Sequence, residues 1–165
     1  MATTFVQVET DDQIDELAAL AGMIFREYYP DIISTEQTEY MASTFLTPEH
    51  LASHINDDGY EYYFIQDGGK TIGFVGLRPD GDKLFLSKLY ILKEYRGQGH
   101  ASEAFGFLEN ICKDRDLDAI WLQVNKNNRK AIDVYKVKGF ETVRQQTMPI
   151  GDGFEMDDFI MEKAV

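Results

Sequence analysis

The chain has 165 residues, 44% of them hydrophobic and 13% aromatic, which suits one folded domain spanning 1–165 and excludes a disordered tail. Its lone cysteine, Cys112, excludes an internal disulfide; the start carries no secretion signal, and no apolar run approaches a membrane span, so a cytoplasmic protein is expected. A formal net charge of −13 argues against nucleic acid and anionic membrane as partners.

Phe5 to Val8 alternates as a short strand. Asp11 and Asp12 offer N-caps for a helix whose apolar positions Ile14, Leu17, Leu20 and Ile24 recur at helical spacing, ending near Tyr29 ahead of Pro30. A second helix is expected from Thr35 to Phe45. A third opens at Thr47 as N-cap, with Pro48 in its first position. Tyr62 to Gln66, the turn Asp67-Gly68-Gly69 and Thr71 to Leu77 read as a hairpin, and Pro79-Asp80-Gly81 turns into a long strand from Leu84 to Leu92. The helix Ala101 to Lys113 sets Ala101, Phe105, Leu108 and Cys112 on one face, which makes the thiol a core group. Strand Ile120 to Val124, helix Asn128 to Lys138 closed by Gly139, and strands Glu141 to Thr147 and Phe154 to Glu162 complete the chain. This order predicts an α/β (α+β) domain on a mixed, mostly antiparallel sheet with one parallel β-α-β unit at its centre.

Arg96-Gly97-Gln98-Gly99-His100-Ala101 lies where a strand hands over to a helix. Glycines there let the backbone turn tightly, while the free N–H groups and dipole of the helix start favour a phosphate, with Arg96 adding fork-like donors. A plain strand–helix turn with two glycines reads the same way. Among phosphate loops, a P-loop needs Gly-Lys-Ser/Thr, which His100-Ala101 is not. A dinucleotide fingerprint needs a third glycine where Ser102 stands and an acid where Asn125 stands.

The Arg/Gln-x-x-Gly-x-Gly/Ala pattern that remains resembles the pyrophosphate loop of the GNAT N-acetyltransferases. Leu89-Tyr90-Ile91 before it, Asn128, Ala131 and Tyr135 after it, Gly139-Phe140 and the terminal Ile160-Met161-Glu162-Lys163 are similar to that family too. The resemblance covers roughly Tyr62 to Lys163 and implies a GNAT fold in which the strand Leu84 to Leu92 splays from Ile120 to Val124. It further implies acetyl-CoA as cosubstrate and no metal. The pantetheine arm would pair with the main chain of Leu89, Tyr90 and Ile91. The pyrophosphate would rest on the amides of Gly97, Gln98, Gly99, His100 and Ala101 beside Arg96, with Asn128 and Ala131 also on the cofactor. Within the loop His100 is expected to present only its N–H, and Lys130 and Lys138 are candidates for the 3′-phosphate.

Acyl transfer to an amine needs a neutral nucleophile and a proton for the departing thiolate. Tyr135 aligns with the family's tyrosine that supplies that proton; spacing alone makes it a core tyrosine. Many relatives carry a glutamate base on the strand before the loop, and here that position is Ser87. Glu27, Asp31, Asp157 and Asp158 are the alternatives, acting through ordered water.

The resemblance implies that the first half of the chain builds the acceptor side. From Met1 to Asp82 there are 16 acidic residues against 3 basic, while from Lys83 to Val165 there are 13 of each. Together with Phe25, Tyr28, Tyr29, Tyr40 and Phe45, this suits a small cationic amine, although the same aromatics also read as helix packing. Two segments, Tyr40 to Leu51 and Met148 to Lys163, resemble bacterial spermidine/spermine N-acetyltransferases, so a polyamine is expected. An amino acid, an antibiotic amine or a protein N-terminus is the alternative acceptor, and a non-catalytic CoA sensor or protein-interaction module the alternative function. Dimers are common in the resembled family. His50 and His54 stand four apart without the glutamate of a zinc motif, which reads as an exposed helix face.

Overall fold

The computed structural model describes residues 3–165. Seven strands form one sheet in the order β1-β2-β3-β4-β5-β7-β6. They are β1 (Thr3–Gln7), β2 (Glu61–Asp67), β3 (Lys70–Asp80), β4 (Lys83–Ile91), β5 (Ala119–Asn125), β6 (Glu141–Gly151) and β7 (Phe154–Ala164). All neighbours run antiparallel except β4 and β5, the parallel pair joined by a helical crossover. The mixed sheet with one central β-α-β unit is therefore the observed architecture.

Five α-helices cover it: α1 (Asp11–Tyr28), α2 (Thr35–Phe45), α3 (Pro48–Asp57), α4 (His100–Asp114) and α5 (Arg129–Val137). They divide between two cores. One gathers Leu84, Leu86, Leu122 and Val124 of the sheet against Ala104, Phe105, Leu108 and Cys112 of α4. The other sets Leu17, Ala21 and Ile24 of α1 and Leu51 of α3 on Tyr62, Phe64 and Phe74. The buried thiol sits in the first core, on the apolar stripe of its helix.

Local differences from the sequence reading have simple causes. Helix α1 is capped by Thr10, not by Asp11 or Asp12: the Thr10 hydroxyl accepts from the Gln13 amide at 3.1 Å, and Gln13 Oε1 accepts from the Thr10 amide at 2.9 Å. This reciprocal pair satisfies two amides, and leaves both aspartates in the first turn where their charge suits the dipole. Proline 79 does not end β3, because the strand continues to Asp80 and the turn is the Gly81-Asp82 pair. Strand β6 likewise runs past Thr147 to Gly151; it is an edge strand, where Pro149 needs no amide partner on its open side.

The contact between β3 and β4 is tight at Gly73, which faces Ile91. A methyl group there would run into the Tyr90 carbonyl oxygen. Gly73→Ala is expected to destabilise the fold by about 1–3 kcal/mol through overpacking, read as a lower urea midpoint with unchanged slope.

Candidate active site

The parallel ladder is short. Strands β4 and β5 pair from Lys83↔Ala119 to Leu86↔Leu122 and then part, although β4 stays on β3 up to Ile91 and β5 stays on β7 up to Asn125. From Ser87 onward one edge of β4 has thus lost its strand partner, leaving backbone groups for a ligand. At the same level β4 carries a bulge: Leu86 faces Leu77 and Lys88 faces Gly76, so Ser87 has no partner of its own. The extra residue resets the alternation. Phe85, Lys88 and Tyr90 consequently share the sheet face covered by α1 and α3, while Leu86, Leu89 and Ile91 share the face covered by α4.

A cavity of about 200 Å³ opens on the α4–α5 side, lined by Leu89, Arg96, Ala101, Asn128, Ala131 and Tyr135 among others. The glycine loop meets it at the start of α4. Gly97 and Gly99 hold φ of 74° and 88°, and a Cβ on either would meet nothing within 4 Å. The loop backbone therefore faces open space in a conformation that favours glycine. The first helical amide to find its partner is that of Glu103, on the Gly99 carbonyl, so those of His100, Ala101 and Ser102 are free for an anion. An open glycine cradle, unpaired amides and a strand edge lacking its ladder together fit a pyrophosphate joined to an extended amide arm.

Side chains around this cradle have defined work. Arg96 donates through Nε to the Ile91 carbonyl at 2.9 Å and lies over the Tyr28 ring, so part of its fork is spent holding the loop to β4. Gln98 donates to the Glu94 carbonyl, and His100 turns away into a buried niche where Nδ1 meets the Thr3 hydroxyl at 2.9 Å. His100 can therefore offer the cavity only its main chain. Asn128 is the N-cap of α5, its Oδ1 accepting from the Ala131 amide and from the Tyr28 hydroxyl at 2.7 Å. Lys138 is tied to Ser102, and Lys130 lines the cavity. Asn125 orders the end of β5 by accepting from the Asn127 amide.

Four tyrosines converge on the gap. Tyr28 and Tyr29, adjacent in sequence, take opposite halves of the parted sheet: Tyr28 bonds Asn128, and Tyr29 bonds the Tyr90 hydroxyl at 2.6 Å. Tyr135 projects from α5 between Phe105 and Phe140. Burial pushes the Tyr135 hydroxyl up to about 12, and the neighbouring Tyr28 adds to the shift. Burial likewise raises Tyr29 and Tyr90, so the whole group stays protonated at neutral pH.

A second cavity, about 370 Å³, lies under the N-terminal helices. It shares Tyr29, Ser87, Lys88, Tyr90 and Gln123 with the first, so the two meet where the strands part. Phe25, Phe45, Tyr60, Phe85 and Met156 give it an apolar body. His50 and His54 belong to it as well, which corrects their reading as an exposed helix face. Helix α3 turns them inward, where the His54 ring stacks on Tyr60 at 4.1 Å between centroids. Burial, aided by Lys88, lowers His50 and takes His54 down to about 4, so both are neutral at pH 7.

The acidic excess does not collect here. None of the 16 acids between Met1 and Asp82 lines either cavity. Of the four base candidates, Glu27 and Asp31 are exposed, and Asp157 is taken by Lys126 at 2.8 Å. Asp158 alone faces the second cavity, 5% exposed on β7 opposite Asn125. Burial, with Asp157 next to it, pushes its carboxyl up to about 6. Lys88 went unnoticed in the sequence, because simple alternation cannot show which face it takes once the Ser87 bulge intervenes.

Against known proteins, the profile of the Acetyltransferase (GNAT) family matches residues 16–140. An uncharacterized N-acetyltransferase of Mycobacterium tuberculosis is 28% identical over 152 residues, covering 92% of this chain and 97% of its own. A putative ribosomal protein bS18-alanine N-acetyltransferase of Bacillus subtilis is 27% identical over 107 residues, 62% of this chain and 71% of its own. In fold, the PaiA N-acetyltransferase of Thermoplasma acidophilum in complex with coenzyme A superposes with a TM-score of 0.80, covering all of both chains at 22% identity.

The Asp158 environment predicts a stability effect with a definite sign. Its folded pKa lies above the unfolded one, so between about pH 4 and 6 the folded state holds a proton that the unfolded state has lost, and stability falls as pH rises. Asp158→Asn should gain melting temperature relative to wild type at pH 8 and much less at pH 4. An equal change at both would place the carboxylate in a water-like setting.

Proposed function

The chain belongs to the GNAT family of acetyltransferases and is an acetyl-CoA-dependent N-acetyltransferase, and we propose that it acetylates a primary amine held in the second cavity, with Tyr135 as acid and Asp158 as base. The observation that carries this reading is the shared wall of the two cavities at Ser87, Lys88, Tyr90 and Gln123. A donor entering by the glycine cradle and an acceptor entering under α1–α3 would meet at the parted strands.

In this reading Gly97 to Ala101 hold the pyrophosphate, Leu89 to Ile91 hold the pantetheine arm by main-chain bonds, and Arg96, Asn128 and Ala131 complete the donor site. Acetyl-CoA supplies an acyl carbon at which an N–C bond forms as the C–S bond breaks. A free alkylamine has a pKa of about 10.4, so an ammonium must first shed a proton. Asp158 receives it, directly or across a water; its raised pKa makes it a better acceptor than a surface aspartate. Tyr135 gives its proton to the departing sulfur and is restored by the second proton that the nitrogen sheds as the amide forms, so the net proton released is the one held by Asp158. Burial that holds the phenol at about 12 also raises the proton affinity of a thiolate beside it, so the two remain matched.

A polyamine preference has weaker support than it had from sequence. Several ammonium groups would need several carboxylates, and the second cavity offers Asp158 while its other titratable side chains are His50, His54, Lys88 and tyrosines. A single amine on an apolar body matches that lining better.

Two outcomes check this assignment. Tyr135→Phe should lower kcat by about 100-fold or more while CoA affinity changes little, as for loss of a general acid. An unchanged kcat at saturating substrates would remove Tyr135 from the chemistry. The wild-type kcat/KM should fall tenfold per pH unit below about pH 6, because the base must be ionised, and Asp158→Asn should lose that limb together with most of the rate.

A further inference from the structure

The second cavity holds a cation without a counter-ion. Lys88 is half-buried there, and its Nζ donates to the Tyr62 hydroxyl at 3.2 Å and to the Ser87 hydroxyl at 3.3 Å. Among the described residues no carboxylate pairs with it. Tyr62 is fully buried; its ring lies against Gly76, where any side chain would displace it, and its hydroxyl also meets His54 Nδ1 at 3.2 Å. The ammonium is thus fixed by the fold. Arg78, over the rings of Tyr60 and Phe85, adds positive potential behind His54.

Asp158 stands elsewhere in the same cavity. It lies on β7, two strands beyond β4, and the intervening gap is the one where the strands part. At about 4.8 Å per strand, more than about 9 Å separates the two backbones, and the Lys88 ammonium points further off, toward β2. Phe45, Tyr60, Phe85 and Met156 give the cavity its apolar walls, and Gln123 and Asn125 of the intervening β5 also line it.

Resting on the transferase reading above, we propose that the acceptor is a bifunctional molecule: a primary amine presented to Asp158, an apolar body, and a carboxylate several bonds away bound by the Lys88 ammonium beside Tyr62 and His54. Removing an ammonium from water without a partner is costly, and a ligand carboxylate removes that cost. The Lys88 pKa, lowered to about 8 by burial, still leaves it mostly charged at pH 7, and an anion beside it would hold that charge. The separation excludes an α-amino acid bridging both groups and favours an ω-amino carboxylate or a compact equivalent.

Three acceptors of one length and different far ends test this: 6-aminohexanoate, hexylamine and 1,6-diaminohexane, assayed by thiol release from acetyl-CoA. The expected kcat/KM order is carboxylate over neutral over cation, with about tenfold or more between the first and the last. Lys88→Met should collapse the advantage of aminohexanoate over hexylamine toward one, chiefly through KM. A wild-type preference for the diamine, or an aminohexanoate advantage that survives Lys88→Met, overturns the carboxylate site. Thiol release from none of these acceptors would instead count against the transferase reading. The anion site is then judged by calorimetry with CoA present. N-acetyl-6-aminohexanoate should bind about tenfold or more tightly than N-acetylhexylamine, and only when Lys88 is intact. Equal binding of the two would overturn it without reference to turnover.

Discussion

Everything at the site depends on two parallel strands that pair for four residues and then separate. A parallel ladder left open inside a sheet is costly, because backbone amides and carbonyls lose partners without gaining free access to water. The molecule tolerates it because each strand is secured on its far side, β4 by β3 and β5 by β7, so the opening is a wedge between two sound half-sheets. The wedge is also bridged. Tyr28 and Tyr29 at the end of α1 reach to opposite banks, one to Asn128 and the other to Tyr90. Two adjacent residues of one helix terminus thereby bridge the gap, which ties the N-terminal helices to the geometry of the first cavity.

The bulge at Ser87 is the second half of the same device. Without it Lys88 and Tyr90 would turn toward α4, and the second cavity would lose its ammonium and one partner of its tyrosine pair. It falls at the first residue beyond the last β4–β5 pair. Parting of the strands and reversal of side-chain facing therefore occur together, so a single irregularity supplies both an unpaired edge on the first cavity and a polar wall on the second.

Sequence marked the residues around the first cavity far better than those around the second. The glycine loop, Asn128, Ala131 and Tyr135 lie within a short stretch of chain and interact through local rules of strand end, helix start and cap, which leave marks at fixed spacing. The second cavity draws on α1, α2, α3, β4, β5, β6 and β7 and on Tyr60 before β2, and no spacing rule joins such distant parts. Composition was a poor substitute. The acidic half of the chain contributes to one wall, yet none of its carboxylates lines the cavity, and some neutralise arginines, as Glu39 does Arg26 and Glu61 does Arg115. Charge counted along a chain says where the field is on average, whereas a binding site depends on which few charges are kept from water.

The same distinction separates Asp158 from its neighbour. Asp157 and Asp158 are adjacent, identical in chemistry, and on opposite faces of β7. One binds Lys126 and Thr147 at the surface, which holds its carboxyl below the usual range; the other is buried, and its carboxyl rises. Strand alternation alone makes of one dipeptide a surface ion pair and a buried carboxyl facing a cavity. Lys88 shows the converse on β4, a cation brought inward by a bulge and paired with no carboxylate among the described residues. The buried Asp158 and the half-buried Lys88 face one cavity from different strands. Two strand spacings separate their backbones, so the proposed acceptor would reach both only by spanning the cavity.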